Sequence, residues 1–275
     1  MPRAPGGRDR HPPVLKKFGQ HFLSDQNILT AIVDALAPTI NDTVVEVGAG
    51  RGSLTDILAD RSGRVIAVEL DRALAQQLRE RYAGRSNVEI VEGDFLETEL
   101  PPNVRGDFLL IGNVPYYITT PIVFKALEPP IPRRSVFLVQ REVAERMAAE
   151  AGTESYGALS VNIAVVARVQ QVLSVPASAF RPPPKVESVV VRLTPRAQPV
   201  VPLESLAAFR IFVQAAFGLR RKQMVRVLRT VRGLSPERAG DLLARAGIDS
   251  TARPEVVSPE NFAKLFRILE EDRAD

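Results

Sequence analysis

A chain of 275 residues has room for one large domain with a small appendage or for two modest domains. Its 45% hydrophobic and 25% charged residues are the balance of a globular protein with a real core. The absence of cysteine excludes disulfide frameworks and thiolate metal sites, and two histidines, His11 and His21, are too few for a histidine metal cluster, so no metal is expected.

In chain order, Met1 to Pro13 is basic and rich in Pro and Gly but lacks the apolar core of a signal peptide. No apolar run approaches the ~20 residues needed to cross a bilayer, so a cytoplasmic protein without a membrane partner is expected. Ile28, Leu29, Ile32, Val33 and Leu36 recur at helical spacing and predict an amphipathic helix over residues 25–36. Strands and helices then alternate: strand 43–47, helix 53–59, strand 64–69, helix 72–81, and strands at 87–91, 107–111 and 135–139. Near-continuous apolar strands separated by helices predict an α/β fold with a mostly parallel sheet covered on both faces. Two further strands, 169–174 and 188–193, flank a proline-rich segment with little room for a helix, which favours an antiparallel hairpin. Residues 194–202 contain three prolines and read as a linker. Beyond them, helices are expected at 209–217, 224–231, 239–246 and 262–269, with Ser235-Pro236 and Ser258-Pro259 as start signals.

Val47-Gly48-Ala49-Gly50-Arg51-Gly52 ends the strand at 43–47 and opens a helix. Glycines there allow tight-turn dihedrals and close approach of backbone to a ligand. Taken alone, the turn is a nucleotide or nucleoside site of unspecified type, or simply a structural turn. The dinucleotide fingerprint requires glycine at position 53, which is Ser53, and this weighs against a pyrophosphate cofactor. Glu69 stands at the end of the next strand, where a carboxylate can take both hydroxyls of a ribose, and Asp94 follows the third strand, where it can accept from an adenine amine. Each acid alone reads equally as a loop charge or helix cap. Three such features at successive strand ends point to a ligand.

Asn113-Val114-Pro115-Tyr116 follows the fourth strand. The lone pair of an exocyclic adenine amine is delocalised into its ring. The Asn113 side-chain carbonyl and a backbone carbonyl near Val114 can hold both amine hydrogens and favour a pyramidal nitrogen. Pro115 stiffens the loop and Tyr116 offers a ring on which a base can stack. The plain alternative is a turn, in which Asn, Pro and Tyr are common. Phe180, in the rigid stretch Phe180-Arg181-Pro182-Pro183-Pro184, is expected either as a second wall for a flipped-out base or as a core residue anchoring the loop.

These stretches make the chain recognisable. From about Lys16 onward it resembles the KsgA family of ribosomal RNA small-subunit adenine dimethyltransferases. The resemblance is carried by Lys17-Phe18-Gly19-Gln20-His21-Phe22-Leu23, the glycine turn at 46–52, Glu69-Leu70-Asp71 and Glu92-Gly93-Asp94. It continues through Asn113-Val114-Pro115-Tyr116, Gln140-Arg141-Glu142-Val143-Ala144-Glu145-Arg146, the 180–188 loop and Phe217-Gly218-Leu219-Arg220-Arg221-Lys222. It implies a Rossmann-like class I methyltransferase sheet of seven strands over residues 16–196, a flexible tail at 1–15, and a small helical RNA-binding domain at 197–275. It also implies an S-adenosyl-L-methionine site formed by His21, Leu23, Gly48, Glu69, Asp94 and Asn113, alongside Gly50 of the turn. The implied substrate is a pair of adjacent adenines near the 3′ end of small-subunit RNA in an assembling particle, taking four methyl groups. Tyr117 and Thr119 stand where relatives carry Asn and Ser. Gln-Met-Val-Arg-Val-Leu follows Lys222 where Thr-Leu-Arg-Asn-Asn-Leu is usual.

The formal charge is only +4, but its distribution is uneven. From Arg210 to Arg232 the chain carries seven cations and no acid. Arg220 and Arg221 join Lys222, Arg226 and Arg229, whose i, i+4, i+7 spacing places the last three on one helix face, as phosphate contacts require. A solvated basic face is the alternative. Three rival functions follow: a nicotinamide dehydrogenase, disfavoured by Ser53; a resistance-type enzyme acting on large-subunit RNA; and an assembly factor that binds and methylates only secondarily. A monomer is the default expectation.

Overall fold

The computed structural model describes residues 22–101, 104 and 107–272; the expected tail and His21 lie outside the described residues. Five parallel strands form one side of a seven-stranded sheet: β2 (Thr43–Val47), β3 (Arg64–Glu69), β4 (Val88–Glu92), β5 (Phe108–Gly112) and β6 (Arg134–Gln140). β7 (Ala167–Val175) and β9 (Ser188–Pro195) complete it in the order β4-β3-β2-β5-β6-β9-β7, with β9 antiparallel to both neighbours. A two-stranded ladder pairs β1 (Phe22–Leu23) with β8 (Phe180–Arg181). The sheet and its closing hairpin are those expected; the small ladder is additional.

Alternation along the strands separates two apolar faces. Val44, Val65, Leu109 and Val136 face one side. There they pack with α1 (Gln26–Leu36), α2 (Ser53–Arg61) and α3 (Arg72–Arg81). Val45, Ile66, Leu110 and Phe137 face the other. Asp25 starts α1 by accepting from the Asn27 and Ile28 amides, and Asp71 starts α3 by accepting from the Ala73 amide. On the second face lie α4 (Thr119–Lys125), α5 (Arg141–Ala148) and α6 (Ala158–Ala164), none of which periodicity places. α6 has the plainest reason: five of its seven residues are buried, so it presents no amphipathic stripe.

The four C-terminal helices are α7 (Leu206–Gly218), α8 (Met224–Arg232), α9 (Pro236–Ala246) and α10 (Pro259–Glu271). Ser235 and Ser258 cap α9 and α10, accepting from the Arg238 and Asn261 amides, with Pro at the first helical position. Phe209 and Phe212 of α7 meet Phe266 and Phe262 of α10 edge-on. These rings belong to the same continuous cluster as the second sheet face, joined to it through α6. The expected linker at 194–202 is also no free tether. Thr194 and Pro195 extend β9, and the Arg196 and Val200 amides donate to the Val166 and Val165 carbonyls.

Candidate active site

β2 pairs with β3 on one side and β5 on the other, so the winding direction changes at β2 and a crevice opens at the C-terminal ends of these strands. Val47 and Gly112 sit side by side in the ladder, which brings the glycine turn against the Asn113 loop. A Cβ on Gly48 would lie 3.8 Å from the Asn113 carbonyl oxygen. Gly50 has φ +59, and a Cβ there would stand 3.2 Å from the Phe22 ring, so β1 closes directly over the turn. The crevice is lined by Leu23, Gly48, Gly50, Glu69, Asp94, Asn113, Val114, Pro115 and Tyr116, which brings together every described residue expected there except Phe180.

Glu69, buried at the end of β3, accepts from the Gly50 amide at 2.7 Å through Oε2 and from the Asp71 amide at 2.8 Å through Oε1. A carboxylate offers about four acceptor sites, more than the backbone amides around it use, so it can still accept from a ligand hydroxyl. Burial pushes its pKa up, and the Asp71, Gly50 and Leu70 amides oppose that shift. Asp94 accepts from the Leu96 amide at 2.9 Å. Its loop is held by Lys125, whose Nζ donates to the Leu96 carbonyl at 2.6 Å and the Thr98 carbonyl at 3.1 Å. Lys125 carries no signal in the sequence, because its partners lie 29 and 27 residues away. Glu46 also lines the crevice; it is fully buried, accepts from Thr55 Oγ1 at 2.6 Å, and is pushed up to about 7 by desolvation. An acid inside an otherwise apolar strand is the signal that could have found it.

In the Asn113 loop, Val114 is buried and Tyr116 is half-buried. The Tyr116 hydroxyl and Ser188 Oγ share a hydrogen bond of 2.6 Å, joining this loop to the start of β9. Thr119 donates through Oγ1 to the Pro115 carbonyl at 3.3 Å, a role the Ser of relatives can fill equally, and Tyr117 is 65% exposed. Phe180 corrects the expectation of a second wall. It is fully buried, pairs with Leu23 across the β1–β8 ladder and belongs to the core of the first sheet face. It anchors the proline-rich loop.

The basic stretch is also redistributed. α8 begins at Met224, so Lys222 lies in the turn before it and does not share the helix face of Arg226 and Arg229. The turn is fixed by the Lys222 amide donating to the Leu219 carbonyl and the Met224 amide donating to the Ala252 carbonyl. Acids from elsewhere meet three of the cations: Arg210 pairs with Glu128, Arg220 with Glu255 and Arg232 with Glu270. Arg221, Lys222, Arg226 and Arg229 are exposed, while Met224, Val227 and Leu228 turn to the core.

Glu46, Glu69, Asp71 and Asp94 line the crevice against a single cation among the described lining residues, Arg51, which stacks on Phe22 at 4.4 Å. This set of acceptors fits a cationic nucleoside with hydroxyls and an amine to donate, and does not fit a pyrophosphate. Fold and site together define a Rossmann-like methyltransferase using S-adenosylmethionine.

Comparison with known proteins narrows that class. The ribosomal RNA adenine dimethylase family model matches residues 14–271, and the chain belongs to this family. It is 40% identical to a ribosomal RNA small subunit methyltransferase A from Alkaliphilus oremlandii, over 92% of this chain and 91% of that one. It is 41% identical to one from Moorella thermoacetica, over 93% and 92%. Among solved structures, a dimethyladenosine transferase from Plasmodium falciparum superposes with a TM-score of 0.76 at 27% identity, covering 92% of this chain and 98% of that one. The 23S rRNA methyltransferase ErmE superposes with a TM-score of 0.70 at 31% identity, covering 90% and 99%.

Proposed function

We propose that the chain dimethylates the N6 amines of two adjacent adenines near the 3′ end of small-subunit (16S) ribosomal RNA in a small-subunit precursor. The meeting of an acceptor-lined crevice with the Asn113–Tyr116 loop at the switch point carries this reading. S-adenosylmethionine, when bound, supplies a methyl group on a positively charged sulfur. Glu69 takes the ribose hydroxyls and Asp94 the adenine amine of that donor. Leu23, Gly48 and Gly50 form its walls, with His21 of the preceding segment. At the target, the Asn113 side-chain carbonyl and a backbone carbonyl near Val114 accept the two amine hydrogens and aim the nitrogen lone pair. The half-buried Tyr116 offers its ring to the base, and Pro115 limits the loop's freedom. This is catalysis by positioning and electrostatics; the nitrogen becomes acidic once substituted, so water suffices to take its proton. The four exposed cations around α8 face the RNA phosphates, with Arg220 contributing less because Glu255 holds it. Residues 16–196 would carry the chemistry and 197–275 the RNA contacts, in a cytoplasmic monomer.

The likeness to small-subunit enzymes at about 40% identity supports the small-subunit substrate over the large-subunit one of the ErmE type. The deciding experiment transfers label from S-adenosylmethionine to unmethylated small-subunit particles, with large-subunit precursors as a second arm and Asn113→Ala as control. Dimethyladenine in the small-subunit arm with wild type alone is expected. Label only in the large-subunit arm would sink the substrate assignment. Tight particle binding without label would favour the assembly factor.

A further inference from the structure

The glycine turn is gripped from outside the crevice, and we propose that Tyr82, with Arg81 and Asp56, is a positioning residue that fixes the turn for the amino-acid portion of the methyl donor. This rests on the donor-site reading above.

Arg81 is the last residue of α3 and Tyr82 follows it. The Tyr82 hydroxyl donates to Asp56 Oδ1 at 2.6 Å, with the Gly52 carbonyl at 3.2 Å sharing the same proton. Arg81 Nη1 donates to the Arg51 carbonyl at 2.9 Å, and Nη2 pairs with Asp56. Two consecutive carbonyls of the turn, at 51 and 52, are therefore held by one tyrosine and one arginine. Asp56, in the first turn of α2, ties both donors together. The fit is close: Gly52 has φ +81, and a Cβ there would stand 2.7 Å from the Tyr82 hydroxyl oxygen. Burial and the Asp56 carboxylate both push the Tyr82 pKa up, so the hydroxyl keeps its proton and remains a donor.

The strand order says which part of the donor this grip serves. Asp94 follows β4 and Glu69 ends β3, while the turn follows β2 and Asn113 follows β5. A nucleoside held by Asp94 and Glu69 spans β4 and β3. The remaining amino-acid chain then lies against the turn after β2, with the sulfur toward Asn113. A turn loosened at residues 51 and 52 would weaken its hold on that chain and leave the nucleoside interactions in place.

The test compares two ligands by calorimetry on the full chain: S-adenosylhomocysteine, which has the amino-acid portion, and 5′-methylthioadenosine, which lacks it. Tyr82→Phe keeps the ring and removes one buried hydrogen-bonding oxygen. Its S-adenosylhomocysteine Kd is expected to rise about tenfold, the scale of one hydrogen bond to a charged group. Its 5′-methylthioadenosine Kd is expected to stay within about twofold. Arg81→Met is expected to shift the same ligand in the same direction. A lowered Tm with unchanged S-adenosylhomocysteine affinity would show a merely structural role and overturn the proposal, as would equal weakening of both ligands. If the wild-type chain bound neither ligand, the donor-site reading would fall and the proposal with it.

Discussion

Tyr116 and Ser188 stand 72 residues apart and share a 2.6 Å hydrogen bond between a half-buried phenol and a fully buried hydroxyl. The bond limits rotation of the ring on which the target base is to stack. Ser188→Ala and Tyr116→Phe are each expected to lower kcat about tenfold, the order of one part-buried hydrogen bond. The double variant should be no worse than either alone, because both remove the same bond. A multiplicative loss would refute the coupling. Glu46 sets a pH dependence of its own. Desolvation lifts its pKa from 4.5 to about 7, so the folded state holds its proton more tightly than the unfolded chain does. The resulting stabilisation is complete below about pH 4.5 and is lost as pH rises through about 7, up to roughly 3 kcal/mol. Thermal melts from pH 5 to pH 8 should show wild type losing stability relative to Glu46→Gln. Parallel curves would remove the carboxyl from this role. Glu69, Asp94 and Asn113 are all legible without the fold, because a strand end followed by a polar residue is a local pattern. The wall role expected of Phe180 is not resolvable locally, since its burial depends on pairing with Leu23, 157 positions away in the ladder register.

At the scale of an element, α8 shows how a charge pattern is revised by packing. Its apolar side is set by Met224, Val227 and Leu228, which leaves Arg226 and Arg229 outward. Lys222 joins them from the preceding turn rather than from the helix. Reversing Arg221, Lys222, Arg226 and Arg229 to glutamate is expected to weaken binding to small-subunit particles. Its salt dependence should flatten by about 0.7–0.9 log units for each phosphate no longer neutralised. Donor affinity should be untouched, since none of the four lines the crevice. Equal loss of donor binding would indicate misfolding. Arg220 is expected to behave differently from its neighbours. It donates to Glu255 at 2.8 Å and to the Glu154 carbonyl at 3.2 Å, so Arg220→Glu places like charges together and should lower Tm more than it lowers RNA affinity.

For the whole molecule, the apolar cluster that begins on one sheet face continues through α6 into α7 and α10. Phe209, Phe212, Phe262 and Phe266 are each at most 5% exposed, and burying each contributes about 1.5–3 kcal/mol. A chain ended at residue 196 would bare the α6 side of that cluster. It is expected to be insoluble or to melt far below the full chain, which itself should unfold in a single transition. Two separate transitions, or a soluble and donor-binding 1–196 fragment, would show that the helical part stands apart. The sequence alone determined the parallel sheet, its closing hairpin, the capped helices and the acceptors at successive strand ends. Each of these is written in periodicities and turn residues within a few positions of one another. The tertiary structure decided the rest. It buried Phe180, placed acids beside Arg210, Arg220 and Arg232, lodged Lys125 under the Asp94 loop and set Tyr82 against the glycine turn. Those outcomes depend on which distant segments pack together, and no local pattern carries that information.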